Sequence, residues 1–326
     1  MNDLKYGLLV PTSERVYNGV VDILSNAGIR FRGEPNGGSY RTPTNLDWLD
    51  IIFKKDPDIP LTLLSSDDLV LAGFVGYDYI REVGLKGGRY TDFVRLVDTE
   101  IAPCRMVVAA PEGGYSSLGD LRKADNLRVG SKYPYTAKDY LERRDVKGVY
   151  VERSGTIEGM PTLDESDIIV DIENTGGTLR RNQLRAIKEM FDITVGLYTT
   201  NDLYSRVGCG DYIKGIAERR NVSDIGRRIQ ESVNAKKKIW VEVNVPSEYL
   251  KTVVNSLPAM KSPTIAELVD RNGFGVKAVV DIDGLFELML KLERLGATDM
   301  VTYPLQSVGI QGTYVPRQLS EEDLQH

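Results

Sequence analysis

Histidine is almost missing: one of 326 residues, His326, carries an imidazole. A Ser-His-Asp triad, a Cys-His pair and a histidine-rich metal site each need that ring, so all three are excluded unless the terminus folds back. Cysteine is scarce as well. Cys104 and Cys209 are two thiols far apart in a long chain, which is no disulfide framework and suits a reducing compartment. No apolar run approaches the roughly 20 residues that span a bilayer. The opening MNDLKYGLLVPTSERV holds too short an apolar run for a secretory signal. The expected location is the cytoplasm, with no membrane partner. Positive charge is in deficit, 41 Lys and Arg against 47 Asp and Glu, for a net −6. A nucleic-acid partner is therefore not expected. The local basic groups, Arg180, Arg181 and Arg185 and then Lys236 to Lys238, read as solvated faces. Internal repeats and low-complexity tracts are also lacking. The chemistry left to the chain rests on carboxylates, Lys and Arg, hydroxyls, backbone N–H groups and a hard cation such as magnesium.

With 41% hydrophobic and 27% charged residues, the chain has room for two or three domains. Buried strands are predicted at 4–10, 59–65, 69–76, 104–111, 127–134, 146–154, 166–173 and 193–200. Helices are predicted at 13–28, 117–123, 136–145 and 178–190, with a short one from Tyr77; Ser13 and Gly28 punctuate the first. Strands alternating with helices imply a parallel sheet in an α/β layout. Two α/β lobes are expected, 1–99 with 180–220 forming one and 100–179 the other. After a helix at 221–238 the pattern changes. Strands at 239–246, 275–282 and 298–308, helices at 247–258 and 283–296, and a weakly signalled strand near 262–266 describe a βαββαβ, ferredoxin-like α+β module. It is assigned to 221–326.

The stretch DIENTGGTLRRN (171–182) sits at a strand-to-helix junction. Glycines there let backbone N–H groups face outward, and such groups attract phosphate. Thr175 and Thr178 add hydroxyls. Asp171 and Glu173 would repel a phosphate, but they suit ribose hydroxyls or a magnesium ion bridging phosphates. A sugar with a 5′-phosphate fits this arrangement. So does an ordinary turn in which Asn174 or Thr178 caps the helix.

The spacing D-x-x-x-T-G-x-T-L after an apolar strand resembles the phosphoribosyl-diphosphate loop of the ATP phosphoribosyltransferase family. Glu158, thirteen residues before Asp171, matches a Glu of the same signature. CRMVVAAP resembles the family's C-R-x-x-x-A-x-P strand, and SKYPYTAKDYL its T-K-Y-P turn and helix. NVPSEYLKTVVNSLPAMKSPTI and the stretch to Gln306 are similar to the regulatory domain of the long form. The resemblance covers residues 100–308 well. It implies two periplasmic-binding-protein-like lobes with the site between them and a ferredoxin-like third domain. It also implies transfer of phosphoribose from phosphoribosyl diphosphate to N1 of ATP, in the first step of histidine biosynthesis, with release of diphosphate. Magnesium as cofactor, histidine as feedback inhibitor, and a homo-oligomer from dimer to hexamer are implied with it.

On this resemblance Thr175, Gly176, Gly177, Thr178 and Leu179, with Asn174, would hold the donor. Asp171 and Glu173 would face its ribose or the metal. Arg15, Lys132, Tyr133 and Glu158 are candidates for ATP or diphosphate contacts, with Arg15 and Lys132 also counted as catalytic. Each also has a plain reading, as a surface charge or, for Tyr133, as packing. Thr12, Ser13, Glu14 and Arg15 stand where the family has a Lys-x-Gly-Arg turn, and Leu71 stands in an Asp position. LLSSDDLVLAGFVG leaves almost no room for a helix that the family has before this strand, 44–57 reads as an insertion instead, and Asp164 replaces a Gly. Glu14 would oppose anionic ATP by about 1 kcal/mol at about 4 Å in water. Two further readings stay open: a phosphoribosyltransferase with another acceptor, and a non-catalytic subunit of the same fold.

Overall fold

A computed structural model of the chain describes residues 5–34, 40–65, 69–153, 155–174, 176–205, 212–269 and 272–325. Thr175, Cys209 and His326 lie outside the described residues. Two compact units emerge. The first comprises Met1–Asp22, Ile29–Gly226 and Tyr314–His326, and the second comprises Ile23–Gly28 and Arg227–Thr313.

The first unit opens with β1 (Tyr6–Pro11), α1 (Glu14–Asn26), β2 (Arg41–Pro43), β3 (Leu49–Lys54), α2 (Asp58–Leu64), β4 (Val70–Gly76) and α3 (Tyr77–Gly87). It continues with β5 (Phe93–Pro111), α4 (Leu118–Leu121), β6 (Arg128–Ser131), α5 (Pro134–Glu142) and β7 (Val149–Glu152). Then come β8 (Ile168–Glu173), α6 (Gly177–Arg181), β9 (Leu184–Thr200), α7 (Asn201–Ser205) and α8 (Tyr212–Ala235), with α1 from Ile23 and α8 from Arg227 counted in the second unit. One mixed sheet carries the strands in the order β2-β3-β1-β4-β9-β5-β8-β6-β7. β3, β1 and β4 are parallel, and so are β8, β6 and β7. Strands covered on both faces read as unbroken apolar runs, and YGLLVP of β1 is buried at every position.

Between the two parallel sets runs the long antiparallel pair β5/β9, from Phe93↔Thr200 to Pro111↔Leu184. Its register shifts at several points, and Glu100 and Ala102 adopt φ of 58° and 50° within the kinked stretch. Each end of the pair serves its own core. Leu9, Ile59, Val75, Ile80, Phe93 and Tyr198 pack at one end, and Met106, Val129, Tyr140, Leu141 and Val170 at the other. The expected two-lobed α/β fold is what forms, with β5 and β9 as its continuous bridges.

Three sequence expectations are corrected here. Residues 59–64, expected with Ser65 as a strand, lie in helix α2, where Pro60 falls in the first turn and its missing N–H costs nothing. The segment 44–57 is not an insertion, since Leu49–Lys54 is strand β3, in register with β1 from Tyr6↔Leu49 onward. Strand, helix and strand before residue 77 are therefore all present. Residues 178–190 do not form one helix. Helix α6 stops at Arg181, Gln183 turns the chain at φ 55°, and Leu184 enters β9. The helix-forming residues there are outvoted by pairing with β5.

The second unit holds β10 (Lys238–Pro246), α9 (Leu250–Ser256), β11 (Thr264–Glu267), β12 (Gly273–Asp281), α10 (Leu285–Arg294) and β13 (Thr298–Pro304). The antiparallel order β11-β12-β10-β13 gives the expected ferredoxin-like α+β topology. Val241, Val243 and Val245 alternate onto the face covered by Val253 and Leu292.

Residues 314–325, grouped with the third domain on the sequence, return to the first unit as a strap. β14 (Arg317–Gln318) pairs with β5 opposite Arg95 and Val94. Leu319 and Leu324 enter the core of Leu9 and Phe93. The fully buried Arg81 donates to the Leu324 carbonyl at 3.0 Å and to Asp139 at 3.3 Å, with Phe191 4.5 Å from its guanidinium. Arg144 donates to the Gln325 carbonyl at 3.0 Å. Among the described residues no helix is long and apolar enough to cross a membrane.

Candidate functional site

Ile168, Ile169 and Val170 bury the body of β8 between β5 and β6, which carries Asp171 and Glu173 to the strand's carboxyl end. That end of a parallel set is where α/β sheets hold ligands. Two residues apart on a strand, the two carboxylates share a face. Gly176 follows at φ 70°, the left-handed region, and starts the single turn of α6. A side chain at 176 would put its Cβ 3.0 Å from Glu173 Oε1. Glycine is thus required twice, by φ and by the carboxylate beside it. The first N–H groups of a helical turn have no intrahelical acceptor, so 177–179 present donors.

Both carboxylates are buried and engaged. Asp171 Oδ1 accepts from the Ile172 N–H at 2.8 Å, and its Oδ2 lies 3.9 Å from Lys132 Nζ. Burial raises the Asp171 carboxyl pKa, Lys132 counters that, and Glu158 adds to it. Glu173 Oε2 accepts from Arg105 Nε at 2.7 Å and lies 2.6 Å from its Nη2, and Arg105 also clasps Glu189 on β9. Arg15 donates from Nη2 to the Pro103 carbonyl at 3.2 Å. Glu158 Oε2 is buried without a hydrogen-bond partner among the described residues.

One cavity of about 270 Å³ collects Arg15, Glu158, Asp171, Glu173, Asn174 and residues 176–179. Nine of the residues predicted from sequence therefore meet there, from α1, the turn before β8 and the loop after it. Lys132 touches the site through Asp171 without lining the cavity. Tyr133 is not brought to the cavity. It is buried, its ring lies 5.8 Å from that of Tyr79, and its hydroxyl donates to Asp78 Oδ2 at 2.9 Å. Burial pushes the Asp78 carboxyl up to about 6. Lys132 faces Asp171 and Tyr133 faces Asp78, so these sequence neighbours do not share a task.

Arg105 and Asp78 are the residues sequence reasoning missed. A lone arginine opening the apolar run CRMVVAAP was the available signal for the first, and an acid just after β4 for the second. Among the described residues no three His, Cys, Asp or Glu side chains converge to cage a metal. Asp171 and Glu173 fit instead as one or two carboxylates near a cation that substrate phosphates carry. The turn before α1 is closed by Ser13, whose hydroxyl donates to Asp56 Oδ2 at 2.6 Å. Asp164, at the family's Gly position, has φ 57° and bonds Arg128 at 2.6 Å, so the backbone glycine favours is kept by an aspartate.

The sequence model of the family described as "ATP phosphoribosyltransferase" matches residues 55–222, and that described as "HisG, C-terminal domain" matches 235–307. Similar relatives include the ATP phosphoribosyltransferases of Natronomonas pharaonis and Methanocaldococcus jannaschii. Each is 28% identical, over 92% of this chain and 98% of its own length. Among solved structures, the ATP phosphoribosyl transferase (HisG:HisZ) complex from Thermotoga maritima is similar in fold, with a TM-score of 0.55 and 22% identity. The match covers 70% of this chain and 98% of that one.

Proposed function

The chain belongs to the ATP phosphoribosyltransferase family, enzymes of histidine biosynthesis, and from that premise we propose how its own residues carry the transfer. Phosphoribosyl diphosphate is the donor and N1 of the ATP adenine the acceptor. The new bond forms between N1 and C1 of the ribose as the C1–O bond breaks, and diphosphate leaves with the electron pair. Such a displacement passes through an oxocarbenium-like state and needs no protein nucleophile, in keeping with the lack of internal histidine.

The observation that supports this reading best is Gly176, left-handed and without a Cβ beside a buried, clasped Glu173. The backbone of 176–178 and the Thr178 hydroxyl receive the 5′-phosphate, with Leu179 buried beneath as the anchor. Thr175 is assigned to the same turn on sequence grounds. Asp171 and Glu173 accept the ribose hydroxyls, and their charge favours the positive charge that develops at C1. Arg15 faces the leaving diphosphate, Lys132 adds positive charge to it from behind Asp171, and Glu158 and Arg15 face the acceptor. Asp171 and Glu173 are the residues that would lie nearest a magnesium ion, which would supply charge neutralisation to the diphosphate when bound. The ferredoxin-like unit is assigned to feedback inhibition by histidine in a homo-oligomer, dimer to hexamer, working in the cytoplasm.

A second reading, an acceptor less anionic than ATP, draws on Glu14 in the turn that Ser13 and Asp56 close. One assay separates the two. ATP, phosphoribosyl diphosphate, magnesium and a pyrophosphatase are mixed with the protein, and ultraviolet absorbance of the phosphoribosylated adenine is followed. A rise that Thr178→Ala abolishes and histidine suppresses is expected. No rise, with the donor still bound, would exclude ATP as acceptor.

A further inference from the structure

We propose that Arg105 is a positioning residue for the donor, setting the Glu173 carboxylate so that its second oxygen serves the phosphoribosyl loop. This rests on the reading that the 176–178 turn holds phosphoribosyl diphosphate. The two residues are direct cross-strand partners, Arg105 on β5 opposite Glu173 on β8. Arg105 Nε donates to one oxygen, Oε2, at 2.7 Å, and Nη2 lies 2.6 Å from that same oxygen in the ion pair. Oε1 is thereby left on the side of Gly176, where a Cβ would stand 3.0 Å from it.

A clasp made for stability alone would engage both oxygens of a buried carboxylate, since a bidentate pair is the stronger arrangement. Here the guanidinium divides itself between Glu173, 7% exposed, and Glu189, 63% exposed. The exposed partner steadies the arginine from outside, and the buried one is presented to the cavity. Without Arg105, Glu173 would swing freely beside Asp171 and Glu158, and like charges would push it off the ribose.

Arg105→Met, Arg105→Lys and Glu189→Gln would be compared in the full chain by steady-state kinetics with each substrate varied, and by calorimetric titration with phosphoribosyl diphosphate. Arg105→Met should lower kcat/KM for phosphoribosyl diphosphate by about tenfold or more while the KM for ATP moves less than about twofold. Arg105→Lys keeps the charge but cannot give two N–H groups to one oxygen, so it should recover only part of the loss. It also serves should Arg105→Met fail to fold. Glu189→Gln should stay within about twofold of the parent protein. Equal losses on both substrates, full recovery by lysine in the manner of a bulk charge, or no loss at all would overturn the proposal. Should Arg105→Met be silent while Gly176→Ala abolishes donor binding, the loop reading stands and the positioning role falls. Should the unaltered protein bind no phosphoribosyl diphosphate, both fall.

Discussion

The Tyr133 hydroxyl donates a 2.9 Å hydrogen bond to the carboxylate of Asp78, joining the approach to α5 with the first turn of α3. Next to that bond, Glu82 accepts from the backbone N–H groups of Tyr135 and Thr136 at 3.0 and 2.8 Å, so a glutamate of α3 caps α5. The carboxyl of Asp78 is pushed from 3.8 up to about 6, chiefly by burial. The folded protein therefore holds this proton up to about pH 6, and the unfolded chain releases it near 3.8. The group favours the fold fully below 3.8, and that contribution is lost as pH rises through about 6. Stability should fall across that window by on the order of 3 kcal/mol from this group. Asp78→Asn, which keeps an acceptor for Tyr133 and removes the charge, should flatten the fall. Urea unfolding at about pH 4 and about pH 7 measures it: a gain at the higher pH and little change at the lower is expected.

Gly176→Ala should damage the donor site more than the fold. Left-handed backbone costs a non-glycine residue about 1–2 kcal/mol, and the new methyl meets Glu173 Oε1. A loss of about tenfold or more in kcat/KM for phosphoribosyl diphosphate is expected, with circular dichroism unchanged. A neutral result would remove the reason given for glycine at this position.

Lys132 lies 3.9 Å from Asp171 and does not line the cavity. Lys132→Met should therefore act through charge. Its cost in kcat/KM should be greatest at low ionic strength and shrink as salt is added, over the range where the screening length falls to about 10 Å. A loss independent of salt would point to packing instead.

Arg81→Met addresses stability. The substitution leaves the Leu324 carbonyl without its buried donor and Asp139 with Arg143 alone, at 2.7 Å. A cost of about 2–4 kcal/mol is expected, read as a lower urea midpoint at an unchanged slope.

Sequence reached the strands that are apolar from end to end and the loop whose chemistry is local. YGLLVP, VLAGFVG and IIVDIE announce themselves because both of their faces are covered, and T-G-G-T because Gly176 answers a backbone need on the spot. β3 was hidden by Asp47, Asp50, Lys54 and Lys55, charges that surround an apolar run of three, Ile51 to Phe53. Leu184–Met190 reads as helix because its Arg, Ala, Lys, Glu and Met favour one, and only a partner strand some 80 residues earlier makes it extended. Arg105 escaped for the same reason. Its meaning lies in Glu173, which is adjacent across the sheet and remote along the chain.

The strap of residues 314–325 sets an order of events during synthesis. Arg81 and the Leu324 carbonyl are 243 residues apart in sequence, and everything between them must be made first. At about 5–20 residues per second that interval is roughly 10–50 s on the ribosome. Throughout it the core around Ile80, Tyr90 and Phe93 lacks Leu319 and Leu324, and the edge of β5 lacks β14. The nascent chain thus carries an open apolar seam until the second unit has already emerged. That seam is where a chaperone would find this protein, and where a second nascent copy would find it if no chaperone did.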